Sequence, residues 1–281
     1  MVFVHLPLLT HAYHLAVVRV SLVSIGVRSL MRREIFRYVR MPQSTFFPPL
    51  ITNMLFFVVF GVIIGGRIQS YGQFSYILFI LPGLVVLGVV SQGFQNASFT
   101  IFHGRWEDYI EEIQTAPLSY REMVLAYVLT SALRGIIVGV CIALIGAIFT
   151  VLDPGTATVG VAHPFYVIAF VLVISILFSA LGVIGGLWAS TFDDLAVMNQ
   201  FIIQPLVFVG AVFYPLSVLS QPWRTVSLIN PMVYMVDGVR YGFLGVAGID
   251  PTVSLLVLTL AAIVAVSLDV WLFKTGYGLT E

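Results

Sequence analysis

Long apolar stretches separated by short polar segments fill nearly the whole chain from Phe46 to Phe273. A helix that crosses the hydrocarbon core of a bilayer needs about 20 mostly apolar residues, and six stretches reach that length. They are residues 46–66, 74–102, 123–150, 165–192, 195–223 and 251–273. The pattern predicts an all-α membrane protein with six transmembrane helices and both termini on the same side. The second stretch exceeds the required length, so we expect its helix to tilt, to break near Pro82 or to extend past the membrane.

Two further apolar segments are predicted not to cross. Residues 24–41 place apolar side chains among arginines at helix-like spacing, which is typical of an amphipathic helix lying in the headgroup plane. Such a helix could be a simple membrane anchor with no further role. Residues 214–250 are rich in proline, glycine and aromatic residues, and 225–236 are uncharged for 12 residues. That run is too short to span and too apolar for a free loop, so we expect a re-entrant helical segment between spans five and six.

The composition supports a membrane protein. Of 281 residues, 59% are hydrophobic and 9% are charged, whereas soluble proteins carry about 25% charged residues. The net charge is zero and Lys274 is the only lysine, so nucleic acid is not an expected partner. Residues 1–23 lack the positive start of an export signal and are interpreted as an N-terminal extension. The predicted organisation is this extension, the amphipathic helix 24–41 and a transmembrane domain, 42–281.

The distribution of positive charge predicts the orientation. Cytoplasmic loops carry an excess of lysine and arginine. If both termini are cytoplasmic, nine such residues lie inside, namely Arg19, Arg28, Arg32, Arg33, Arg37, Arg40, Arg105, Arg121 and Lys274. Only three then lie outside, namely Arg67, Arg224 and Arg240.

An acidic inner loop, 103–122, interrupts the apolar pattern. Its acidic residues are Glu107, Asp108, Glu111 and Glu112, and they alternate with Trp106, Tyr109, Ile110 and Ile113. The spacing predicts an amphipathic helix of about two to three turns that Pro117 stops. Aromatic side chains beside carboxylates suit docking into a basic groove of a soluble protein. The simpler alternative is a solvated loop.

The chain shows no motif for catalysis. There is no G-x-x-x-x-G-K-[ST] loop for ATP phosphates and no H-E-x-x-H helix, and the five histidines lack metal-ligand spacing. Cys141 is the only cysteine, so a disulfide framework or a cysteine metal site is excluded. We therefore expect no catalytic, cofactor or metal site in this chain.

Arg134 is the one ionisable residue deep in a predicted span, and such a residue is a functional candidate. It either has a structural role, bonded to carbonyl groups or water, or takes part in a translocation path or its gate. Asp269 lies too near the end of its own span to pair with it directly. The glycine pairs Gly61/Gly65, Gly135/Gly139 and Gly182/Gly186 indicate close helix packing or, alternatively, a subunit interface.

Several short motifs occur in a characteristic order. They are Arg33-Glu34-Ile35-Phe36-Arg37, Phe47-Pro48-Pro49-Leu50-Ile51-Thr52, Pro82-Gly83, Ile110-Glu111-Glu112 with Ala116-Pro117, Thr191-Phe192-Asp193-Asp194, Gly210, Phe213-Tyr214, Asn230-Pro231-Met232-Val233-Tyr234-Met235, Gly238 and Arg240-Tyr241-Gly242-Phe243-Leu244-Gly245. In this order they resemble the membrane subunit of ABC-2 type ATP-binding-cassette exporters. The resemblance covers residues 33–279 and is greatest to small bacterial inner-membrane permeases encoded next to a separate ATPase.

The resemblance implies an exporter that moves its substrate out of the cytoplasm or the inner leaflet. Two copies of the permease pair in the inner membrane among its lipids, and each copy seats one cytoplasmic ATPase, so two ATPases are expected. ATP and Mg²⁺ bind to the ATPase, and this chain binds no cofactor. Residues 106–116 take the place of the coupling helix, the helix 24–41 also touches the ATPase, and 214–248 shape the exit.

These considerations define two sets of candidate residues. The ATPase-coupling set is Trp106, Glu107, Asp108, Tyr109, Glu111, Glu112, Arg33 and Arg37, and the set for a translocation path or gate is Arg134, Phe213, Tyr214 and Tyr234. The alternative function is an ATP-independent secondary transporter or a membrane scaffold, and a membrane-embedded enzyme is a third class. Secondary transporters usually show inverted repeats and midplane acids, and the spans hold almost no acids. The chain has no soluble carbohydrate-binding domain, which favours a small or amphiphilic substrate.

Overall fold

The structure, a computed structural model, describes residues 25–65, 74–152 and 160–279. These residues are helical almost throughout and contain no strand. The predicted N-terminal extension 1–23, with Arg19, and the predicted outer residue Arg67 lie outside the described residues.

The first half of the described chain forms six helices. They are α1 (25–39), α2 (Pro42–Thr45), α3 (Phe47–Phe56), which continues as a π-helix (Phe57–Ile64), α4 (Tyr76–Trp106), α5 (Tyr109–Thr115) and α6 (Tyr120–Leu152). The helix predicted at 24–41 is thus present as α1. The helix predicted within the inner loop is present as α5, which ends two residues before Pro117.

The second half forms a further six helices and two short irregular ones. They are α7 (Pro164–Trp188), α8 (Phe192–Val197), a π-helical stretch (Met198–Ile203), α9 (Gln204–Phe208), a 3₁₀ turn (Leu216–Val218), α10 (Gln221–Ile229), α11 (Pro231–Leu244) and α12 (Pro251–Thr275). Segments α8, the π-helical stretch and α9 follow one another without a break. Helices α10 and α11 meet at Asn230, whose side chain accepts a hydrogen bond from the backbone N–H of Met232 and so caps α11.

Five helical segments of the described chain are long and apolar enough to cross a membrane. They are Pro42–Ile64, Tyr76–Trp106, Tyr120–Val151, Pro164–Trp188 and Pro251–Thr275. The prediction of one continuous helix over 195–223 is wrong. The helix that begins at Phe192 ends at Phe208, and the chain then turns through Gly210 and Ala211, whose φ is 60°. A non-glycine residue rarely adopts that conformation inside a helix, so the apolar residues beyond Phe208 belong to a turn.

Helix α4 is the centre of the bundle, and α6 and α7 pack against it through glycines. A Cβ atom added at Gly182 or at Gly186 of α7 would lie 2.5 Å from a backbone carbonyl oxygen of α4. A Cβ added at Gly135 of α6 would lie 2.8 Å from the carbonyl oxygen of Val89. The backbones therefore approach as closely as glycine permits. In α6 and α7 the predicted glycine pairs serve close helix packing within one chain.

Helix α4 is longer than a membrane requires. Its 31 residues extend about 46 Å, whereas the hydrocarbon core is about 30 Å thick. Pro82 lies within the helix without ending it. The helix α1 meets α4 beside Asn96 and Thr100, and α4 extends about 15 Å from Asn96 to Trp106, after which α5 follows. This end of the bundle is called the α5 end, and the opposite end, which carries α10 and α11, is called the α11 end.

Candidate functional site

A buried carboxylate organises the inner face of α1. Glu34 is 1% exposed. Its Oε1 accepts a hydrogen bond from Nη2 of Arg33 at 2.7 Å, and its Oε2 accepts one from Nε of Arg37 at 3.1 Å. Arg37, three positions after Glu34, lies on the same face of the helix, and the long side chain of the adjacent Arg33 reaches the other oxygen. The paired charges allow this polar face to turn inward at low cost.

One amide side chain connects α1 with two helices of the bundle. Arg37 donates to Oδ1 of Asn96 at 3.2 Å and also to the hydroxyl of Thr100. The same Oδ1 accepts a hydrogen bond from Nη1 of Arg134 at 2.9 Å. The Nδ2 group of Asn96 donates to Oγ of Ser131 at 2.9 Å. Asn96 thereby joins α1, α4 and α6.

Arg134 has only neutral partners among the described residues. Besides Asn96, its guanidinium donates to Oε1 of Gln92 at 2.9 Å and to the carbonyl oxygen of Thr45 at 3.5 Å. Asp269 is fully buried with no hydrogen-bond partner among the described residues for either oxygen, so it does not pair with Arg134. We call Glu34, Arg37, Gln92, Asn96, Ser131 and Arg134 the polar junction.

An arginine-rich cavity of about 1550 Å³ lies beside the polar junction. It is bounded by α1, α4, α6 and the helix that begins with α8. Five arginines line it, namely Arg32, Arg33, Arg37, Arg40 and Arg134. Glu34 is the one carboxylate among its described lining residues, and Phe36, Phe99 and Met41 supply an apolar part. The cavity therefore carries a positive electrostatic potential.

Helix α5 is seated directly on α1. Its apolar side chains Ile110 and Ile113 are buried against the bundle. The guanidinium of Arg33 lies 4.9 Å from the ring centroid of Tyr109, within the range of a cation–π interaction. Burial of the ring, together with the nearby carboxylate of Glu34, raises the pKa of Tyr109 above its usual range. Two predicted coupling residues, Arg33 and Tyr109, are thus in contact, and Arg37 shares Glu34 with Arg33.

The acidic side of this segment faces outward. Trp106 is 63% exposed, and Glu107, Asp108 and Glu112 are exposed. Asp108 has a left-handed backbone with φ 58°, which aspartate tolerates better than most residues, and it separates the end of α4 from α5. Glu111 lies within α5. An exposed acidic and aromatic surface at the end of a long helix can dock a basic partner.

Arg105 fixes the base of this segment to α7. Its Nη1 group donates to the carbonyl oxygens of Gly186, Leu187 and Ala189 at 3.0, 2.9 and 2.9 Å. These carbonyls belong to the carboxyl end of α7, where positive charge is favourable. The sequence pattern placed Arg105 in the inner loop but did not predict its contact with α7.

The other predicted gate residues lie at the α11 end. The ring of Phe213 stacks on Phe60 at 4.2 Å, and its carbonyl oxygen accepts a hydrogen bond from the Tyr76 hydroxyl at 2.8 Å. The hydroxyl of Tyr214 donates to the carbonyl oxygen of Val209, and that of Tyr234 donates to the carbonyl oxygen of Leu228 in α10. Tyr76 precedes Gln92 by about 24 Å along α4. The structure therefore does not bring these three residues together with Arg134.

A second buried charge cluster stabilises the α11 end. Arg240 donates to the carbonyl oxygen of Ala211 at 2.8 Å, and its guanidinium lies 4.1 Å from the ring centroid of Phe79. Asp237, one turn earlier, accepts hydrogen bonds from the backbone N–H groups of Gly248 and Ile249 at 2.8 and 2.9 Å. Arg240 is therefore a buried residue of the helix α11.

Several junction residues escaped the sequence analysis, although a signal was present. Gln92, Asn96 and Thr100 recur at every fourth position of α4, which places all three on one face. Ser131 and Arg134 share a face of α6 in the same way. The spacing could have shown a polar stripe, but the contact of α1 with that stripe depends on the tertiary fold.

Comparisons with known proteins agree on one family. The family model for ABC-2 type transporters matches residues 26–244. The inner membrane transport permease YadH of Escherichia coli strain K12 is 35% identical to the chain over 257 residues, which cover 91% of this chain and 97% of YadH. Nodulation protein J of Neorhizobium galegae is 19% identical over 225 residues, 77% of this chain and 80% of that protein. On the match of the family model and the similarity to YadH, this chain belongs to the family of ABC-2 type transporters.

Proposed function

We propose that the chain is the membrane-spanning permease of an ATP-binding-cassette exporter, driven by a separate cytoplasmic ATPase. The observation that carries this proposal is the position of α5. Its exposed surface is acidic and aromatic, and its buried side contacts Arg33, one residue from Glu34 of the polar junction. A partner that binds and moves α5 therefore acts on a connected network.

The α5 end is proposed to face the cytoplasm, together with both termini. Arg28, Arg32, Arg33, Arg37 and Arg40 all lie on or next to α1, which packs at this end. Such a concentration of positive charge is typical of the cytoplasmic side. The similarity to YadH, which is named an inner membrane transport permease, supports a location in a bacterial inner membrane.

Motion of the ATPase is proposed to reach the bundle through α5 and α1. Arg33 contacts Tyr109 of α5 and shares Glu34 with Arg37, which in turn binds Asn96 beside Arg134. ATP and Mg²⁺ bind to the ATPase. This chain binds the ATPase and transmits its motion to the bundle.

The assembly is proposed to contain two copies of this chain and two ATPases. The apolar side chains of Phe47, Ile51 and Leu55 on α3 are more than half exposed, which suits contact with lipid or with the second copy. Helices α10 and α11 are proposed to be re-entrant and to shape the exit, with Phe213, Tyr214 and Tyr234 beside it.

Reversal of the exposed charges tests the proposal. The chain carrying Glu107→Arg with Glu112→Arg is expected to insert into the membrane and to lose the ATPase on purification in mild detergent, because the acidic surface becomes basic. Lys274→Glu is the matched control, since it reverses an exposed charge on α12 at the same end. The unaltered chain and the control should both retain a stoichiometric ATPase.

Two results would contradict the proposal. Retention of the ATPase by the doubly reversed chain would remove α5 from the docking surface. Purification of the unaltered chain without any ATPase, with transport that persists after ATP depletion, would favour an ATP-independent transporter or scaffold.

A further inference from the structure

We infer that the arginine-rich cavity binds the anionic phosphate group of an amphiphile. This inference deepens the proposed function. The interpretation of the cavity as a site for the transported substrate rests on that function. Binding itself requires only the cavity and can be measured without the ATPase.

Unpartnered buried polar atoms converge on this cavity. The hydroxyl of Tyr38, Nε of Arg134 and Oδ1 of Asn199 have no hydrogen-bond partner among the described residues, and all three residues line the cavity. The first two are donors. Tyr38 is only 2% exposed, so bulk water does not readily satisfy its hydroxyl. A buried donor without a partner is costly. Two such donors beside one space indicate that an acceptor belongs there.

The charge balance shows that the acceptor is an anion. Glu34 is shared by Arg33 and Arg37, and the partners of Arg134 are uncharged. Arg32 and Arg40 line the same cavity, and each guanidinium lies over the ring of Phe36. Arg134 is only partly exposed, and a cation shielded from water without a counter-ion is unfavourable. A phosphate offers several acceptor oxygens that match guanidinium geometry.

The remaining lining suits an amphiphile. Phe36, Phe99 and Met41 line the cavity and are 42%, 41% and 67% exposed. The amphipathic helix α1 places Arg32 and Arg40 at the depth of lipid headgroups, while Arg134 lies deeper, within α6. A headgroup can therefore contact arginine while its apolar chain stays beside exposed apolar side chains.

Lipid binding to the purified full-length chain tests the inference. The chain is prepared in a neutral maltoside detergent, and native mass spectrometry measures the affinity for dioleoyl phosphatidic acid and for zwitterionic dioleoyl phosphatidylcholine. We expect phosphatidic acid to bind at least about tenfold more tightly, and Arg134→Gln to reduce its affinity about tenfold, as the loss of one charged hydrogen bond does. Tyr38→Phe, which removes one hydroxyl, should reduce the affinity about threefold to tenfold.

Arg121→Gln is the matched control. Arg121 lies on the same helix as Arg134, is exposed and does not line the cavity, so the affinity should stay within about twofold of the unaltered chain. Equal binding of the two lipids would overturn the inference, and so would an unchanged affinity in both Arg134→Gln and Tyr38→Phe. If Arg134→Gln does not fold, Tyr38→Phe together with Arg40→Gln decides the result.

Competition with inorganic phosphate identifies the source of the anion. Displacement of phosphatidic acid by millimolar phosphate would show that the phosphate group suffices, and a soluble phosphate compound would then also fit. Binding that resists phosphate and needs the acyl chains would assign the site to a membrane lipid. Either result supports an anion site. Because no ATPase is present in this experiment, lipid binding and ATPase docking are tested separately. Either one can fail while the other succeeds.

Discussion

At the centre of the polar junction, the side chain of Asn96 accepts hydrogen bonds from two positively charged arginines. Its Oδ1 accepts from Arg37 at 3.2 Å and from Arg134 at 2.9 Å, although the two guanidinium groups repel each other. Asn96 is 1% exposed, so solvent does not screen the dipole of its amide. The side chain therefore holds α1 against α4 and α6 and also reduces the repulsion between the arginines.

Substitution of Asn96 should destabilise this contact strongly. Asn96→Leu removes the acceptor that Arg37 and Arg134 share and leaves Nη1 of Arg134 without a partner, while Arg37 keeps Thr100, so the cost is about 1–3 kcal/mol. We expect a lower melting temperature in detergent, measured by scanning fluorimetry. Gln95→Leu is the control, because the only side-chain hydrogen bond of Gln95 among the described residues is a 3.5 Å contact with Gln92. A control that destabilises as much as Asn96→Leu would contradict this account of the junction.

At the same scale, the sequence predicted the important charged residues better than the side chains that bind them. Arg134 was recognisable because a charge inside a membrane span is rare. Its partners were not, because glutamine and asparagine occur in many membrane helices without forming a network. Glu34 was visible only as part of a motif. Its role depends on α1 folding back onto Asn96 and Thr100, which are distant in sequence.

At the scale of helices, close packing depends on glycine, which has no side chain. Gly182 and Gly186 of α7 lie one turn apart and face backbone atoms of α4. At such positions even one methyl group forces the helices apart. The spacing of small residues therefore predicts the contact surface of α7, and this part of the fold was accessible from the sequence.

A methyl group at Gly182 tests this packing. Gly182→Ala places a Cβ atom 2.5 Å from the carbonyl oxygen of Phe94, and such overpacking costs about 1–3 kcal/mol. We expect a lower melting temperature and a smaller monodisperse fraction in fluorescence-detected size-exclusion chromatography. Gly160→Ala should have little effect, because a Cβ atom there has no atom within 4 Å. Equal behaviour of the two variants would show that α7 can move away from α4 without cost.

The end of the helix at Phe208 was less predictable. Hydropathy continues unchanged through Ala211, Val212 and Phe213, so an apolar window cannot distinguish a helix from a buried turn. The local signals were Gly210 and Pro215, which favour a break. The turn is held by the hydrogen bond from Arg240 to the Ala211 carbonyl, and no local pattern contains that partner.

At the scale of the whole molecule, the two ends differ in charge. The α5 end combines exposed acids with an arginine-lined cavity, while the α11 end buries Asp237 and Arg240. Such an asymmetry fixes the direction in which a chain inserts, since arginine clusters are retained on the cytoplasmic side.

Labelling of two introduced cysteines measures that direction. In a Cys141→Ala background, Ser190→Cys lies at the α5 end and Ser220→Cys at the α11 end, and both serines are exposed. A membrane-impermeant maleimide is expected to label the second position from the outside of intact spheroplasts. It should label the first only in inverted vesicles, by at least about tenfold in signal because the bilayer excludes the reagent. The opposite pattern would reverse the proposed orientation.

The length of α4 has a mechanical consequence. Asn96, where α1 and α6 hold the helix, divides it into arms of about 15 Å toward Trp106 and about 30 Å toward Tyr76. If α4 tilts as a rigid lever with Asn96 as its fulcrum, a displacement of about 2 Å at the short arm becomes about 4 Å at the long one. The long arm carries Gly83, against which Val212 packs so closely that an added Cβ would lie 2.8 Å from its side chain. On that geometry a stroke of about 2 Å at α5 would become about 4 Å near the place where Gly83 meets Val212.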